Sequence, residues 1–136
     1  MSATSITMLL NQNSLSYAGD KVKADGYYGQ TDGVHTVSAS VTNFQGRIHI
    51  EATLATDPAE VDWFPIYLTS GNGWKQYPVA TPSGSNGVGD TVTEAWTFRA
   101  NLLWLRARVD RSAIDPPPAS YDASTHGTVD KILLNL

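Results

Sequence analysis

Cysteine is absent from this 136-residue chain, so neither a disulfide framework nor a thiolate metal site can hold the fold together. That suits a protein matured in a reducing cytosol, and the length is ample for one domain to bury a core without such staples. Charge is scarce too: Lys and Arg number 9, Asp and Glu 13, together 16% of the residues, leaving a formal net charge of -4. A sequence-independent grip on nucleic acid needs clustered cations, so nucleic acid is not expected as a partner. No apolar run approaches the roughly 20 residues that cross a bilayer, so no membrane partner is expected either. The opening MSATSITMLLNQ has no basic region and only a short apolar run, which predicts a first strand rather than a secretion signal. No Asn-x-Ser/Thr acceptor and no window with a sustained helical period occur.

What is present is alternation. In Arg47 to Leu54, Ile48, Ile50, Ala52 and Leu54 interleave with Arg47, His49, Glu51 and Thr53, the period of a strand with one wet face. The same reasoning predicts strands over 5–10, 34–42, 63–69, 74–80, 91–98, 102–110 and 128–136, with a weaker one over 21–28. Turn chemistry separates them: Ala18-Gly-Asp20, Asp32-Gly33, Asn43 to Gly46, Ser70 to Gly73, and two longer loops, Pro82 to Asp90 and Ser112 to Gly127. The reading is an all-β protein, an antiparallel β-sandwich of jelly-roll-like or immunoglobulin-like type, with a barrel as the lesser alternative. Residues 1–136 form a single domain in which 1–12 serve as an N-terminal arm or an edge strand.

Candidate chemistry is thin. His35, His49 and His126 have no metal-ligand spacing and are expected at the surface. No Gly-x-Ser-x-Gly elbow occurs, and Glu51, Glu60, Glu94 and Asp62, the carboxylates a glycosidase would draw on, read as solvated strand and turn residues, so no catalytic residue is assigned. Asp57, Glu60 and Asp62 lie in one acidic turn and could offer oxygens to calcium, but the spacing is not that of an EF-hand and Asp57-Pro58 is ordinary turn chemistry. No cofactor is expected. The aromatics are the better prospect. On the last long strand before the final loop, Leu103, Leu105, Ala107 and Val109 take one face, and Trp104, Arg106, Arg108 and Asp110 the other. Trp104, Arg106 and Arg108, with Trp74 and Tyr77, form the candidate binding set for a sugar or a partner protein. Tyr27, Tyr28, Tyr67 and Tyr121 are further aromatics, while Trp63 and Trp96 are expected in the core.

The series Phe44-x-Gly46-x-Ile48-x-Ile50-x-Ala52-x-Leu54, then Asp62-Trp63-Phe64-x-Ile66, then Leu103-x-Leu105-Arg106-Ala107 and Gly127-Thr-Val-Asp-Lys-Ile132, resembles small structural proteins of tailed bacteriophages, of the type found in T4-like phages of marine cyanobacteria. The likeness runs from about Gly33 to Leu136. It implies a β-sandwich virion component without catalytic residues, a head-surface decoration or a part of neck, tail or baseplate. Its partners would be other virion proteins and itself, as a trimer or larger, and its place the virion, assembled in the host cytoplasm. The alternative is a carbohydrate-binding module that uses exposed aromatics on a host glycan.

Overall fold

Alternating strands of this kind must pair two wet-faced sheets over one apolar layer, and the computed structural model shows how. It describes residues 5–12, 14–29, 32–68, 73–77, 89–112, 114 and 118–135. The strands are β1 (Ile6–Gln12), β2 (Ser16–Ala18), β3 (Val22–Lys23), β4 (Val34–Phe44), β5 (Gly46–Thr53), β6 (Phe64–Ile66), β7 (Lys75–Tyr77), β8 (Asp90–Arg99), β9 (Trp104–Asp110) and β10 (Thr128–Asn135). Short 3-10 turns cover Asp25–Tyr28 and Glu60–Asp62, and a four-residue helix, α1, covers Ala123–His126.

Every pairing is antiparallel. The first sheet runs β1-β10-β4-β8; the second runs β2-β9-β5-β6, with β3 following β2 along β9 and β7 following β6 along β5. Taking β2 with β3, and β6 with β7, as interrupted single strands leaves eight. In chain order their sheets read 1-8-3-6 and 2-7-4-5, so every link but the one between the fourth and fifth passes from sheet to sheet. That is the order of a jelly roll, two Greek keys folded together. It rules against the immunoglobulin-like alternative, in which the first two strands share a sheet.

The core lies where the alternation placed it, except that Leu54, just past the end of β5, is 66% exposed: Val37, Ala39 and Val41 of β4, Ile48, Ile50 and Ala52 of β5, Leu105, Ala107 and Val109 of β9, and Val129, Ile132 and Leu134 of β10 are all buried. Each large aliphatic among them contributes about 1.5–3 kcal/mol on burial. Met8 and Leu9 are consecutive yet both buried, because β1 carries a bulge where Thr7 and Leu9 face Leu133 and Ile132. Between β4 and β5 the chain changes sheet within a single residue, Gln45. Asn43, in the left-handed region at φ 48°, makes that corner; its Oδ1 accepts from Gly89 N at 2.9 Å and its Nδ2 donates to Ser124 O at 3.1 Å.

Several expectations are corrected. Residues 21–28 hold only the two-residue β3 followed by the 3-10 turn Asp25–Tyr28, and β2 is a strand that no alternation announces. Residues 1–12 contribute the edge strand β1, with 1–4 outside the described residues. The strand ends predicted at 69 and 78–80, and the loop tip 82–88, also lie outside them. Among the described residues no helix is long and apolar enough to cross a membrane.

Candidate functional site

The outer face of the second sheet concentrates the chain's cations and aromatics. Register sets its rows: Thr53 faces Trp104, Glu51 faces Arg106, His49 faces Arg108 and Arg47 faces Asp110. Side chains directly opposed in an antiparallel pair stand close enough to interact, so opposite charges alternate into a network. Arg106 donates from Nε to Glu51 Oε1 at 2.8 Å and grips Glu60 with two nitrogens, Nη1 to Oε2 at 2.8 Å and Nη2 to Oε1 at 3.2 Å. Its guanidinium lies 4.4 Å over the Trp63 ring. The bond to Glu60 raises the Arg106 pKa, and the same bond lowers that of Glu60.

Arg108 takes the other oxygen of Glu51, Nε to Oε2 at 3.2 Å, and donates from Nη2 to His49 Nδ1 at 3.2 Å. An accepting Nδ1 requires the His49 proton on Nε2, which is buried without a partner among the described residues. Burial, then the charge of Arg108, lowers the His49 pKa, so the ring is neutral at pH 7. Asp110, beside it, is also lowered: burial pushes its pKa up, but the hydrogen bonds from Ser112 and the nearby Arg108 outweigh that.

Three tryptophans on this face each lie under a cation. Besides Trp63, Trp74 is covered by Arg47 at 4.3 Å, and Trp104 by Lys21 Nζ at 4.7 Å. The Trp104 end is the more open. β3 brings Lys23 opposite Trp104, and the following 3-10 turn places Tyr27 5.0 Å from the indole, with Tyr28 edge-on to Tyr27 at 5.7 Å. Lys23 Nζ lies 4.6 Å over the Tyr27 ring, Tyr27 and Tyr28 are 45% and 52% exposed, and Trp104 is half-buried, its Nε1 donating to Thr56 O at 3.2 Å. This cluster offers rings and cations, groups suited to stacking and charge pairing.

Of the predicted binding set, Trp104, Arg106 and Arg108 share this face, and Trp74 joins them at its far end beside His49, ring centroids 6.1 Å apart. Tyr77 does not: it is 1% exposed between the sheets, with its hydroxyl bonded to Glu94. The acidic turn Asp57, Glu60 and Asp62 lies beside Arg106 at the edge of this face. Glu60 is held by Arg106, Asp62 Oδ2 accepts from Ala59 N at 2.7 Å, and among the described residues no three His, Asp or Glu side chains gather as a metal site. The histidines expected at the surface are buried: His35 stacks on Phe98 and meets Asp25, and His126 lies behind Tyr121. Trp63 is not core but roofs Arg106, while Trp96 does pack against the core from β8, half-buried.

Lys21 and Lys23 were not legible as site residues; the register of β3 alone brings them to Trp104. No protein-family model, no curated protein and no solved structure matches the chain.

Proposed function

We propose that this chain is a non-enzymatic accessory structural protein of a tailed-phage virion, a head-surface decoration or a component of neck, tail or baseplate, built in from several copies that meet through sheet edges and loops. The observation that carries the reading is the open first sheet. No described strand flanks β1 or β8, so each offers a row of main-chain donors and acceptors to a neighbouring subunit. Two facts support it. Among the residues of the phage-protein resemblance, Phe44, Ile48, Ile50, Ala52 and Leu105 are buried in the core. The carboxylates a hydrolase would use are committed elsewhere, Glu51 and Glu60 to arginines and Glu94 to Tyr77. The test is particle content: gradient-purified virions should carry the chain at a fixed ratio to the major coat protein. A chain left wholly in the soluble lysate overturns the reading.

The second reading, a carbohydrate-binding module for host glycans, draws on the Trp104, Tyr27 and Tyr28 rings with Lys21 and Lys23 beside them, a platform on which a sugar face could stack. Glycan-array binding lost on Trp104→Ala but kept on Tyr77→Phe supports it, because Tyr77 is buried; no binding to any glycan rejects it.

A further inference from the structure

The two open edges are not equivalent. β1 is bulged at Met8 and turns into the left-handed region at Asn11, φ 49°, both of which spoil it as a template for another strand. β8 has ten residues, no proline, no lysine and no bulge of its own, since the register shift along its pairing with β4 puts the extra residue in β4. Its outward row, Thr91, Thr93, Ala95, Thr97 and Arg99, is small apart from the last. Its inward row, Val92, Glu94, Trp96 and Phe98, lies at the rim of the core, with Val92 still 36% exposed. Hydrogen bonds to β4 hold the outward hydroxyls in place, Thr97 to Thr36 at 2.9 Å and Thr93 to Ser40 at 3.0 Å.

We infer that β8 is a self-recognition edge, at which a second copy of this chain pairs antiparallel about a two-fold axis through Ala95. The inference deepens the assembling-subunit reading and rests on it. An isologous pair that keeps both cores on the same side must set inward residues against inward ones, so the axis passes through a residue and not between two. Only Glu94 and Ala95 are central enough to match most of the strand. An axis at Glu94 would oppose two carboxylates, which destabilises a cross-strand pair. An axis at Ala95 opposes two methyl groups, sets Thr93 against Thr97 on the outer face, and covers the exposed Val92 with the partner's Phe98. Two four-stranded sheets thereby become one of eight.

The absence of cysteine makes the register directly measurable. Residues opposed across the axis have Cα atoms about 4.5–5.5 Å apart, within the span of a disulfide. Ala95→Cys should therefore cross-link to a dimer on mild oxidation, whereas Thr93→Cys, whose counterpart stands four residues away along the partner, should not. Sedimentation supplies the second measurement: Ala95→Lys and Ala95→Glu should each weaken self-association roughly tenfold, and an equimolar mixture of the two should restore it. Equal cross-linking of both cysteine variants, or association of Ala95→Lys as tight as that of the wild type, overturns the edge. So does a wild-type chain that stays monomeric. If purified particles still contain the chain in those cases, the virion reading survives and only the β8 contact fails.

Discussion

Tyr77 of β7 donates its hydroxyl hydrogen to Glu94 of β8, and so ties the rim of the second sheet to the rim of the first. Lys75 Nζ stands 3.7 Å from the same carboxylate. The pairing explains why an acidic residue occupies the inward row of an edge strand: the sandwich is open enough there for Glu94 to keep a third of its side chain in water while it accepts from a buried phenol.

Tyr77→Phe leaves the ring in place and removes that bond, so it should cost about 1 kcal/mol in chemical denaturation, because Glu94 can rehydrate. The alkaline limb gives a sharper check. Burial first, then the bond to Glu94, raises the Tyr77 pKa above its ordinary value of 10.0. Above that pH the unfolded chain loses the phenolic proton while the folded chain retains it, so stability present below about pH 10 is lost as pH rises. Tyr77→Phe should lose less stability over that range than the wild type. Arg111 acts in the opposite direction but is common to both proteins. An alkaline limb of equal steepness in the two would show that the phenol is not insulated.

Arg111 is the largest fully buried side chain, and among the described residues no carboxylate pairs with it. Its cation is accommodated by backbone and rings: Nη1 donates to Ser14 O, Nη2 to Gly127 O at 3.0 Å, and the guanidinium lies 4.9 Å from the Phe44 ring and 5.1 Å from that of Tyr121. Burial pulls its pKa down to about 10. Arg111→Met should destabilise by about 2–4 kcal/mol, since Ser14 O loses its donor and Gly127 O keeps only the bond from Tyr121. Arg111→Lys should recover only part of that, because an ammonium cannot span both carbonyls as the planar fork does. Urea midpoints for the two variants decide it; a lysine variant as stable as the wild type would mean that charge alone matters here.

Acid should act on the histidines before the carboxylates. Burial lowers the pKa of both His49 and His126, with Arg108 and Arg111 respectively adding to the effect. As pH falls through the ordinary value of 6.5, the unfolded chain takes up protons that the folded chain refuses, so stability falls. Glu60, Asp110 and Asp122 have lowered pKa values, so their contribution is lost only further down, as pH drops through the carboxylate range. His49→Gln preserves an acceptor for Arg108 and removes the titration. It should flatten the stability profile between about pH 6.5 and 5 while changing the plateau at pH 7 by no more than about 1 kcal/mol. An NMR titration in which His49 protonates at or above 6.5 in the folded protein would contradict this.

How much of this was legible follows from what alternation can and cannot report. It tells which face a side chain takes, and so identified β4, β5, β8, β9 and β10 with most of the core. It does not tell how well a face is covered. His49 is on the outer face, in phase with Arg47 and Glu51, yet Trp74 and Arg108 bury it. Short strands carry too few residues for a period: β2 is three residues, all exposed, and is recruited only by its pairing with Tyr17 against Val109. Tyr77 sits in a three-residue strand for the same reason, and its inward side emerged only from its register with Gly46. The charge network was illegible because its partners are distant along the chain. Arg106 meets Glu51 across 55 residues and Glu60 across 46, separations that no local pattern encodes.

Two glycines with nearly the same backbone separate strain from space. Gly29 and Gly127 both lie in the left-handed region, at φ 75° and 65°. A methyl group at Gly29 would meet nothing within 4 Å, whereas one at Gly127 would fall 1.9 Å from Asn43 O, at the corner where the chain passes from β4 to β5. Gly29→Ala should therefore cost only the backbone term, about 1–2 kcal/mol. Gly127→Ala must in addition push the end of α1 away from Asn43, disturbing the bonds from Arg111 and Tyr121 to Gly127 O, and should cost more than about 4 kcal/mol. Thermal and urea unfolding of the two variants measure the difference. Equal losses would mean that the Asn43 corner yields without cost, and would remove the reason for a glycine between α1 and β10.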